Sequence, residues 1–73
     1  MADVRDAIRQ MLLQTLLAKV EKDRYPSWTM LNTIESLLET PQETARYAQV
    51  LLRDVERSPF PSVTIIRRLQ ELM

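Results

Sequence analysis

The groups able to do chemistry in this 73-residue chain are few. It has no His, no Cys and no Gly. That removes the commonest general base, the thiol nucleophile and the usual ligands of a zinc site. It also removes the P-loop and the dinucleotide fingerprint, which need Gly where backbone approaches phosphate. Carboxylates, hydroxyls, Lys and Tyr remain. A carboxylate pair such as Asp3 and Asp6 stands where a helix N-terminus wants negative charge. Glu21 and Glu56 each follow an apolar residue and read as surface charges. Met11 and Met30 fall among apolar positions and read as packing or interface groups. No catalytic residue, metal ligand or cofactor site is expected, and the chain is read as a non-enzyme.

The most distinctive segment is Arg24-Tyr25-Pro26-Ser27-Trp28. Pro26 stops a helix and pushes Tyr25 towards extended geometry, and Ser27 suits the N-cap of the next helix. Part of this segment returns as Phe60-Pro61-Ser62, so a structural corner accounts for the shared residues. Arg24, Tyr25 and Trp28 belong to the first copy alone. These are residue types enriched in binding hot spots, which makes them a candidate partner contact.

The corner belongs to a longer repeat. Displaced by 35 residues, Leu16-Leu17, Val20-Glu21, Pro26-Ser27 and Thr29 meet identical residues at Leu51-Leu52, Val55-Glu56, Pro61-Ser62 and Thr64. Repeat one covers about 3–38 and repeat two about 40–73. The period is near that of tetratricopeptide repeats, but the Trp, Leu-Gly, Tyr and Ala positions of that motif are unmatched. No family is assigned on it.

Each repeat reads as helix, corner, helix. Helix 1 starts at the Asp3 N-cap and runs to about Asp23. Helix 2 runs from the Ser27 cap to about Glu39. Thr40-Pro41-Gln42-Glu43 is a capping box with Pro at the first helical position, so helix 3 starts there and ends near Arg57. Ser62 caps helix 4, which runs to the last residue, Met73. The expected fold is all-α: one domain over 1–73, with two tandem helical hairpins packed as a four-helix unit.

The apolar faces carry the functional expectation. Leu13, Leu16, Leu17 and Val20 form one stripe of helix 1, and Ala45, Ala48, Leu51, Leu52 and Val55 the corresponding stripe of helix 3. Both are read as internal core. Helix 1 has a second patch, Val4, Ile8, Met11 and Leu12, nearly opposite the first. In helix 3 two of the matching positions are charged, Glu43 and Arg46. A helix apolar on two sides needs two partners. One is the chain's own core. The other is either a neighbouring helix of the same chain or another molecule, through self-association or a different protein.

Charge narrows the partner. Ten basic and ten acidic residues give zero net charge, and the isoelectric point is about 6.2. Each half is also neutral. This disfavours nucleic acid, for which a basic domain is expected. The alternative function, a DNA-binding regulator reading through helix 4, would rest on Arg67 and Arg68, aided by Arg53 and Arg57. No apolar run is long enough for a membrane span, and the N-terminus lacks a secretory pattern. A cytoplasmic protein–protein interaction module, a homodimeric scaffold or an adaptor of a larger protein, is the leading expectation.

Overall fold

The computed structural model describes residues 3–23 and 26–73. Among them are four helices and no strand: α1 (Val4–Lys22), α2 (Trp28–Leu37), α3 (Pro41–Arg57) and α4 (Val63–Glu71). The chain divides into two compact units, Met1–Leu38 and Glu39–Met73. In the first α1 packs on α2, and in the second α3 packs on α4.

Local chemistry places the helix starts. The Asp3 carboxylate accepts from the Arg5 amide at 3.3 Å. The Ser27 hydroxyl accepts from the Met30 amide at 3.1 Å. At α3 the full capping box forms: the Glu43 amide donates to Thr40 Oγ1 at 3.1 Å, and the Thr40 amide to Glu43 Oε1 at 3.2 Å. Ser62 departs from expectation. It holds the N-cap position of α4 with extended backbone, but its side chain makes no capping hydrogen bond. Its contribution is the carbonyl, which accepts from the Ile66 amide at 3.1 Å.

Helix ends follow from the missing Gly. A left-handed residue commonly closes a helix, and Gly fills that position at least cost. No described residue here has positive φ. Instead Asp23, Leu38 and Ser58 leave their helices directly into extended geometry, at ψ of 127°, 128° and 126°. Helix α2 stops at Leu37, short of the expected Glu39. The Glu39 amide donates to Glu43 Oε1 at 2.9 Å, so the capping box of α3 claims the group that would have extended α2. Helix α4 likewise ends at Glu71 rather than Met73, with the Leu72 amide donating back to the Arg68 and Leu69 carbonyls.

The core of the first unit is Leu13, Leu17 and Val20 against Leu31 and Ile34. Leu16 is half-buried beside them. The second unit differs from the sequence reading. Its buried side chains are Tyr47, Val50 and Leu51 against Ile65. Ala45 and Leu52 are exposed, and Ala48 and Val55 half-buried. The stripe that faces α4 is thus rotated from the expected one by about one residue, or 100° of helix. Tyr47 explains the rotation. At i, i+3 and i+4 it makes a stripe with Val50 and Leu51, and burying its ring removes more apolar surface than burying Ala45 and Ala48.

Candidate interaction surface

Helix α1 presents two apolar sides. The side carrying Leu13, Leu17 and Val20 is closed by α2. On the other side Val4, Ile8, Met11 and Leu12 are between 43% and 71% exposed. All four predicted patch residues therefore share an open face, on one rigid helix of 19 residues. At roughly 1.5–3 kcal/mol for each large apolar side chain taken fully out of water, covering the exposed part of the four would contribute about 3–7 kcal/mol before ordering costs. Isolated exposed apolar residues are ordinary, whereas a contiguous patch marks an interaction surface or an aggregation hazard.

The orientation of that face is set by Arg9, which sequence reasoning missed. Arg9 Nη1 donates to the Leu37 carbonyl at 2.6 Å, and its Nε donates to Asp6 Oδ1 at 3.2 Å. The guanidinium reaches the C-terminal end of α2, where the last carbonyls lack helical partners and a cation is favoured. This long-range tie fixes the rotation of α1 on α2. Asp6 Oδ2 also accepts from Gln10 Nε2 at 3.2 Å. Asp3 and Asp6, the carboxylate pair at the start of α1, are thus occupied by a cap and a side-chain network. Among the described residues no three carboxylates gather as a metal ion would require.

Of the second candidate cluster, Trp28 opens α2 and is 47% exposed. Arg24 and Tyr25 lie outside the described residues. Of the arginines considered for DNA, Arg53, Arg57 and Arg67 are exposed and Arg68 is half-buried in its own unit. They do not form one open face of α4. No described helix is long and apolar enough to cross a membrane.

Compared with known proteins, the chain matches no family model, no curated sequence and no solved structure.

Proposed function

We propose that this chain is a small interaction module that self-associates through the outer face of α1, with no catalytic role. The observation carrying the proposal is the exposure of Val4, Ile8, Met11 and Leu12 together, opposite a side of α1 already buried. Size supports it. A chain below about 70–80 residues gains only a few kcal/mol from one core, and without disulfide or metal, association is the remaining common source of stability. The neutral, interspersed charge also favours a like partner over a strongly charged one. Sedimentation of the wild type beside a Val4→Asp, Ile8→Glu double variant tests the proposal. The wild type is expected to sediment as a dimer and the variant as a folded single chain. A monomeric wild type defeats it.

We further propose that the two helix pairs descend from one duplicated hairpin of 35 residues. The corners support this: Lys22 and Arg57 end their helices, and Ser27 and Ser62 precede theirs, at that spacing. The cores have since drifted. Leu13, Leu17 and Leu31 correspond in burial to Tyr47, Leu51 and Ile65, each 34 residues on. On this reading the second copy kept its corner and rotated its helices, which took Leu52 out of the core.

A further inference from the structure

We draw no further inference here: the strongest candidate, the apolar patch of Val4, Ile8, Met11 and Leu12 on the outer face of α1, belongs to the surface already described, and nothing in the structure shows what covers it.

Discussion

Ser27 and Ser62 occupy equivalent N-caps, yet only one of them caps. The Ser27 hydroxyl meets the Met30 amide, whereas the Ser62 side chain makes no capping hydrogen bond. Ser27→Ala should therefore cost about 1 kcal/mol and Ser62→Ala no more than a few tenths, read from urea midpoints at equal slope. Equal losses would mean that Ser62 caps in solution. Arg9 gives a second comparison. It is largely buried and charge-assisted, with its side chain 12% exposed. Arg9→Ala should destabilise by about 1.5–3 kcal/mol, because the Leu37 carbonyl loses its donor. Asp6→Asn removes only the half-exposed end of the ion pair and should cost under about 1 kcal/mol. A cap is legible in a sequence because it depends on residues three apart. The Arg9 contact spans 28 residues, and nothing in the local pattern signals it.

The helices were legible where punctuation sets them. Asp3, Ser27 and the Thr40-Pro41-Gln42-Glu43 box lie at the observed starts. The end of α2 was misplaced because one amide, that of Glu39, had two claimants and the capping box held it. Burial was legible in α1, where leucines recur at helical spacing and no larger residue competes. In α3 the helical wheel places Ala45, Ala48, Leu51, Leu52 and Val55 on one stripe, and Tyr47 overrides it. This difference can be measured. Leu17→Ala removes a fully buried side chain and should cost about 2–5 kcal/mol. Its alignment counterpart Leu52→Ala should cost under about 1 kcal/mol when measured at a dilution where sedimentation shows single chains. Tyr47→Ala should cost about 3–5 kcal/mol, as for other large aromatics. Comparable losses at Leu17 and Leu52 would restore the unrotated stripe.

At the scale of the whole molecule, the apolar patch on α1 was legible because four apolar residues lie where an amphipathic helix should be polar. What covers it was not, since cover depends on surfaces distant in sequence. Stability links the two. If the dimer is the state that buries this patch, association and folding share one equilibrium, and anything that binds only the folded chain raises its apparent stability with concentration. The thermal midpoint of the wild type should therefore climb as the protein is concentrated. The Val4→Asp, Ile8→Glu variant should show a midpoint independent of concentration. It should match the wild type only at high dilution, because both substitutions sit at positions exposed in the single chain. The two melting curves separate association from intrinsic folding. A wild-type midpoint that ignores concentration would mean that the core of Leu13, Leu17, Val20, Leu31 and Ile34, with that of Tyr47, Val50, Leu51 and Ile65, sustains the fold alone. The α1 patch would then have to be explained by a partner of different sequence, present only in the cell.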